Sequence, residues 1–332
     1  MTRTARRRWS REFQGEIDGI ALGGSGPVLV HGYDPPVGGK WIDNVIPGKL
    51  AAYERGSGEE QWVSPCEVGY GRGFGCGLGP EEDIVVLGPS IRGHRIARMR
   101  LATGELLGAC EIRPFDQALV FPDMCVSVTP DRISGIMTSA MLEVWSFTRE
   151  GERYHVIGRD RVDGEHLIVT YTNQERKRQG VLRLDIESGD FVDTLIPPDV
   201  ANIHEMAADD GIFVLLVGDR PPSRFHASAG PGKLRLEGWR ADVSPGSGGH
   251  PLWRQEVNDD SPDEFPDVSI KMDSGKLYVT SGALLEVRDG LSGRLLGEMT
   301  LPGLDERIAW TISEGAGLIA EETRVSIFEL PA

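Results

Sequence analysis

Residues 52–62 read Ala52-Tyr53-Glu54-Arg55-Gly56-Ser57-Gly58-Glu59-Glu60-Gln61-Trp62. A strand ends in a carboxylate, the chain reverses at a glycine, and a new strand begins that carries a tryptophan. Each residue type has a physical reason to be there. Gly58 permits the positive φ of a tight turn. Glu54 can accept backbone hydrogen bonds within that turn. Trp62 offers a large apolar face to a neighbouring sheet. The turn recurs as Thr103-Gly104-Glu105, Glu150-Gly151-Glu152, Ser188-Gly189-Asp190, Gly248-Gly249 and Ser292-Gly293-Arg294. A repeat of roughly 40–50 residues made only of strands predicts an all-β, seven-bladed β-propeller, a single domain over residues 1–332.

Working outward, seven short apolar strands are expected at Val28–Tyr33, Asp83–Gly88, Cys125–Thr129, His166–Thr172, Ile212–Gly218, Leu277–Ser281 and Gly317–Glu321. They are rich in Val, Ile and Leu, as strands buried on both faces should be. Each precedes an alternating strand; Leu182, Leu184 and Ile186 against Arg183 and Asp185 show the period of two. In the third repeat the alternating strand is read as Met141–Phe147, after an intermediate loop at Pro130–Ala140, with Arg153–Ile157 as the outer strand. The inner strand of the fourth repeat is read near Arg159–Val162. Only six outer strands follow the turns. Residues 6–13, with Trp9 where other repeats place Trp62 and Trp253, are expected to complete the last blade and close the ring, removing an open sheet edge.

Composition bounds the function. A net charge of −16 argues against nucleic acid, because phosphate binding needs clustered Lys and Arg. It leaves basic partners or cations. Six Lys against 29 Arg read as a GC-rich, bacterial coding sequence. Cys66, Cys76, Cys110 and Cys125 make no CxxC pair and read as small buried hydrophobes. Arg3, Arg6, Arg7 and Arg8 are followed by no apolar run, and Ile212–Val217 is too short to span a bilayer. The expectation is a cytoplasmic chain with no membrane partner.

The stretch from Ala52 to Trp62 resembles the pyrroloquinoline-quinone-type (WD-like) propeller repeat, A-x-D-x-x-x-G-x-x-x-W, with Glu54 in place of Asp. Asp185 with Gly189, and Asp289 with Gly293, match in part, while Asp193 and Gly297 replace the Trp. The resemblance implies the fold. Family enzymes hold the quinone beside Ca²⁺ and a vicinal Cys pair, and this sequence has no Cys-Cys. It is therefore similar to the non-catalytic branch, and no cofactor is expected.

Local motifs give no catalytic signature. Gly69 to Gly79 alternates glycine but lacks the Gly-Lys-Ser/Thr ending of a phosphate loop, and reads as crowded backbone at an inner strand. Asp259, Asp260 and Asp263 would suit Ca²⁺, yet lack the EF-hand spacing and read as a solvated loop. His204 falls on an inner strand. Two long loops, Asp34–Gly48 and Asp219–Gly232, are expected on one face. Tyr33, Trp41, Arg220, Arg224, Phe225 and His226 give them the aromatic and Arg content of binding hot spots. The reading is a non-catalytic scaffold or regulatory subunit that binds a protein or peptide there. The alternative is a lyase or hydrolase with its site at the central channel mouth.

Overall fold

The computed structural model describes residues 3–22, 26–35, 47–69, 74–79, 81–90, 93–155, 166–200, 202–209, 211–219, 233–241, 250–257 and 268–330. They form strands and turns with no helix. Two strands come first, β1 (Arg3–Thr4) and β2 (Arg6–Glu12). The first sheet is β3 (Glu16–Leu22), β4 (Val28–Tyr33), β5 (Pro47–Tyr53) and β6 (Glu60–Gly69). The second is β7 (Gly75–Leu78), β8 (Asp83–Ser90), β9 (Gly93–Arg100) and β10 (Leu106–Ile112). The third is β11 (Gln117–Val120), β12 (Met124–Thr129), β13 (Arg132–Met137) and β14 (Leu142–Phe147). The fourth is β15 (Glu152–His155), β16 (His166–Asn173), β17 (Arg178–Asp185) and β18 (Phe191–Val200). The fifth is β19 (Ile203–Asp209), β20 (Ile212–Gly218), β21 (Leu234–Arg240) and β22 (Trp253–Val257). The sixth is β23 (Val268–Asp273), β24 (Lys276–Ser281), β25 (Leu284–Asp289) and β26 (Leu295–Thr300), and the last is β27 (Ala309–Ser313), β28 (Ala316–Ala320) and β29 (Arg324–Glu329).

This is a seven-bladed β-propeller arrangement of antiparallel meanders. The seventh sheet takes its outer strand from the N-terminus: β2 pairs antiparallel with β29, Trp9 opposite Ile327. β1 adds to the sixth sheet as a fifth strand, parallel to β26. The chain divides into two compact units. One holds sheets seven, one, two and three; the other holds sheets four, five and six.

Within each unit, apolar side chains seal sheet against sheet. Trp9, Phe13, Val30, Tyr53, Leu318 and Ile327 form one such core between sheets seven and one. Phe213, Leu215 and Trp239 pack against Ile168 and Val181 between sheets five and four.

The repeated turn explains its own sequence. The N–H groups of Gly58, Gly104, Gly189 and Gly293 donate to the carbonyls of Glu54, Arg100, Asp185 and Asp289 at 2.8–2.9 Å. All four glycines have φ near +70°, which costs other residues about 1–2 kcal/mol. Asp289 accepts from the Ser292 hydroxyl at 2.6 Å and its N–H at 2.8 Å. Asp185 accepts from the Ser188 N–H at 2.7 Å. Such bonds stabilise the charged carboxylate, so Glu54, Asp185 and Asp289 sit below the usual range; the serine hydroxyl is the main donor for Glu54 and Asp289, the Ser188 N–H for Asp185.

The turn glycine also faces the tryptophan of the preceding sheet. The Trp9 indole donates to Arg55 O at 2.8 Å, Trp62 to Leu101 O at 2.9 Å and Trp253 to Gly290 O at 3.0 Å. A Cβ on Gly58 would come within 2.5 Å of the Trp9 ring, and one on Gly293 within 2.6 Å of Trp253. At these three places the motif locks the outer strand onto the next sheet.

The third repeat differs from its sequence reading. The stretch read as loop Pro130–Ala140 holds β13, Met141–Phe147 supplies the outer strand, and Arg153–Ile157 overlaps the inner strand of the fourth sheet. The turn that follows β13 puts Met141, not glycine, at φ +51°, so its usual sequence mark is missing. Gly135 sits in mid-strand because the Trp145 ring leaves no room for a Cβ. Gly151, at φ +76°, lies between the third and fourth sheets rather than within a repeat. The expected strand near Arg159–Val162 and the turn Gly248-Gly249 lie outside the described residues.

Candidate functional site

In the first sheet, β4 carries the chain towards residues 36–46 and β5 brings it back. Its base is held at three points. The Tyr33 hydroxyl donates to Glu16 Oε2 at 2.6 Å. Lys49 pairs with Asp34 at 2.5 Å across the loop's two ends, and also lies 5.3 Å from the Phe13 ring centre. Deeper in, His31 Nδ1 pairs with Asp18, while Nε2 lies 3.3 Å from Val68 O. The imidazole stacks on Phe74 at 4.2 Å, and Gly48 leaves it room, since a Cβ there would collide with the ring.

Burial by itself would lower the His31 pKa, but the Asp18 carboxylate and the Cys66 sulfur outweigh it and hold it up at about 10. The trio Asp18, His31 and Cys66 has the residue types of a thiol catalyst. Its geometry is that of a clasp: the Cys66 thiol is buried and donates to Val68 O at 3.1 Å, whereas a working nucleophile needs an accessible thiolate. Because the folded pKa lies above the unfolded value of 6.5, the stabilisation is complete below pH 6.5 and is lost as pH rises towards 10. The melting temperature should therefore fall between pH 7 and 10. Asp18→Asn should flatten that slope; an identical slope in the variant would rule the clasp out.

In the other unit, the fifth sheet carries residues 220–232 on a comparable base. Asn202 adopts φ +61° and its side-chain amide donates to Gly218 O at 3.2 Å. Gly218 N returns a bond to Asn202 O at 3.0 Å, and Asp219 N donates to Lys233 O at 3.2 Å. His204 packs against Gly218, where a Cβ would not fit. Beside it, Glu205 accepts from the Ser269 hydroxyl and the Ile270 N–H, both at 2.9 Å, with Lys271 at 3.5 Å. Burial nevertheless holds the Glu205 carboxyl above the usual range.

Of the residues proposed from sequence, Tyr33 is buried and serves the base of its loop. Trp41, Arg220, Arg224, Phe225 and His226 lie outside the described residues, as do Asp259, Asp260 and Asp263. The glycine run ends where Gly75 and Gly77 of β7 crowd Ala118 and Val120 of β11, with 3.0 and 2.8 Å to a Cβ. All four cysteines are free thiols. His31 carries one signal in the sequence, a lone polar side chain in the run Val28-Leu29-Val30-His31.

No family model matches the chain, and no curated protein matches it. Solved structures do. BamB from Moraxella catarrhalis is similar over 98% of this chain and 100% of its own, with a TM-score of 0.50 and 13% identity. The Dos1 propeller is similar over 98% of this chain and 95% of its own, with a TM-score of 0.60 and 10% identity. At such identities the likeness shows the β-propeller fold. It extends over 934 solved chains, too wide a set to single out one function.

Proposed function

We propose that the chain is a non-catalytic, protein-binding propeller, a cytoplasmic scaffold or regulatory subunit akin to the non-catalytic quinone-type propellers. Its contacts are made by the two long loops. The observation that supports this is the fixed base under each loop: Tyr33, Lys49 and His31 for one, Asn202 and Gly218 for the other. A long segment on a rigid mount loses less entropy when it binds. Trp41, Phe225, Arg220, Arg224 and His226 supply the anchors, and the charge of −16 favours a basic partner. A photo-crosslinking side chain placed at position 41 or 225 in cells should trap one dominant protein, and the same group at Glu60 should not. Trapping only at Glu60, or at none of the three, contradicts the proposal. The role uses no cofactor; a saturable absorbance change on adding pyrroloquinoline quinone with Ca²⁺ would contradict that.

Glu205 favours a second reading, an enzyme of the lyase or hydrolase class. Burial raises this carboxyl while all of its partners donate to it, so such an enzyme would use it as a general base. Under the first reading Glu205→Gln leaves crosslinking unchanged.

A further inference from the structure

Two outer strands share a sequence. Gly104-Glu105-Leu106-Leu107-Gly108-Ala109-Cys110-Glu111 opens β10, and Gly293-Arg294-Leu295-Leu296-Gly297-Glu298-Met299-Thr300 opens β26. Both follow the same turn, with the glycine at φ +69°. Both expose the leucine pair: Leu106 and Leu107 at 42% and 40%, Leu295 and Leu296 at 45% and 46%. They differ at the outer edge. β26 has β1 added to it, Arg3 opposite Met299 and Thr4 opposite Thr300. No strand pairs with the outer edge of β10 among the described residues.

By alignment on the turn glycine, Met299 and Thr300 correspond to Cys110 and Glu111. The stretch of β10 equivalent to the occupied stretch of β26 is therefore Cys110–Glu111. A groove of about 270 Å³ lies against that stretch. Ile112, Ile136, Met141 and Leu142 give it an apolar lining, and Glu111 and Glu143 stand beside them with Arg113. Leu142 is 62% exposed, more than any other large apolar side chain described. An exposed apolar groove beside an unpaired strand edge is the usual seat of an added strand.

We infer that the outer edge of β10 at Cys110–Glu111 takes an extended segment of a partner protein as a fifth strand. An apolar side chain of that segment fills the groove, and a Lys or Arg lies beside Glu111 and Glu143. Two observations choose this occupant. The chain's own β1 shows that an edge of this sequence accepts a short added strand. Glu111 stands where β26 has Thr300, and with Glu143 it outnumbers Arg113 along the groove, while Arg95 across from it is engaged by Glu67, so the net charge there is negative and a basic segment complements it.

The test is selection of random peptides displayed against the full-length chain. Enriched peptides should combine an apolar residue with a neighbouring Lys or Arg. Their synthetic forms should bind at least tenfold more weakly to Leu142→Glu and to Glu111→Lys, both exposed positions whose change leaves the melting temperature unaltered. N-methylation of alternate peptide amides should also abolish binding, because the added strand contributes main-chain bonds. Trp41→Ala should leave this binding intact, so that the loops and this edge fail or stand separately. The inference is overturned if no sequence is enriched, or if the bound peptides ignore both substitutions. Dimerisation of the chain alone, abolished by the same substitutions, would overturn it too, because a second copy would then be the occupant.

Discussion

Deletion of residues 1–14 should leave little soluble, folded protein. The segment supplies β2, the outer strand of the seventh sheet, and with it two aromatics, Trp9 and Phe13, that are 6% and 4% exposed. Truncating one buried aromatic costs about 3–5 kcal/mol. Two of them approach the whole stability of a typical domain, about 5–15 kcal/mol. Further contacts go with them. Trp9 donates to Arg55 O, the Arg11 guanidinium to Ser57 O and Gly58 O at 3.0 and 2.8 Å, and the Phe13 N–H to Thr323 O at 2.7 Å. What remains exposes Val325 and Ile327 along an unpaired β29, an edge suited to aggregation. Soluble yield and a thermal melt followed by circular dichroism provide the measurement. A melting temperature within two or three degrees of the full chain would show that β2 is dispensable.

That dependence is legible in the sequence alone, because an incomplete last repeat and a stray Trp9 are both visible there. So are the strands at Val28–Tyr33 and Ile212–Gly218, which the structure reproduces to the residue. Buried strands write themselves as runs of Val, Ile and Leu, and the turns as glycine. The third repeat failed for the same reason. Its turn uses Met141 at positive φ, and β13 contains Ser134 and Gly135, residues that read as loop although they are buried between sheets. The interaction that decides them, the Trp145 ring over Gly135, is ten residues away and invisible to local pattern.

The loop bases were illegible for a similar reason. Asp18 and His31 are 13 residues apart, and His31 and Val68 are 37 apart, so nothing short-range joins them. Tyr33 borders the loop and reads as a binding residue; its hydroxyl turns inward to Glu16. The β10 edge was hidden differently. Leu106 and Leu107 fit an apolar strand pattern, and only their exposure marks them out.

The claim that the loops bind while the sheets merely hold them is tested most directly by comparing three alanine variants for partner affinity and melting temperature. Trp41→Ala and Phe225→Ala should each weaken binding of the crosslinked partner by about 2 kcal/mol, near 30-fold, with the melting temperature unchanged. Trp62→Ala should do the reverse. Its indole bond to Leu101 O and its packing on Gly104 are lost, at a cost of about 3 kcal/mol and several degrees of melting temperature, while the folded fraction keeps its affinity. If Trp41→Ala and Phe225→Ala lower the melting temperature as Trp62→Ala does and leave affinity intact, the loops are part of the core and the proposed binding role is wrong.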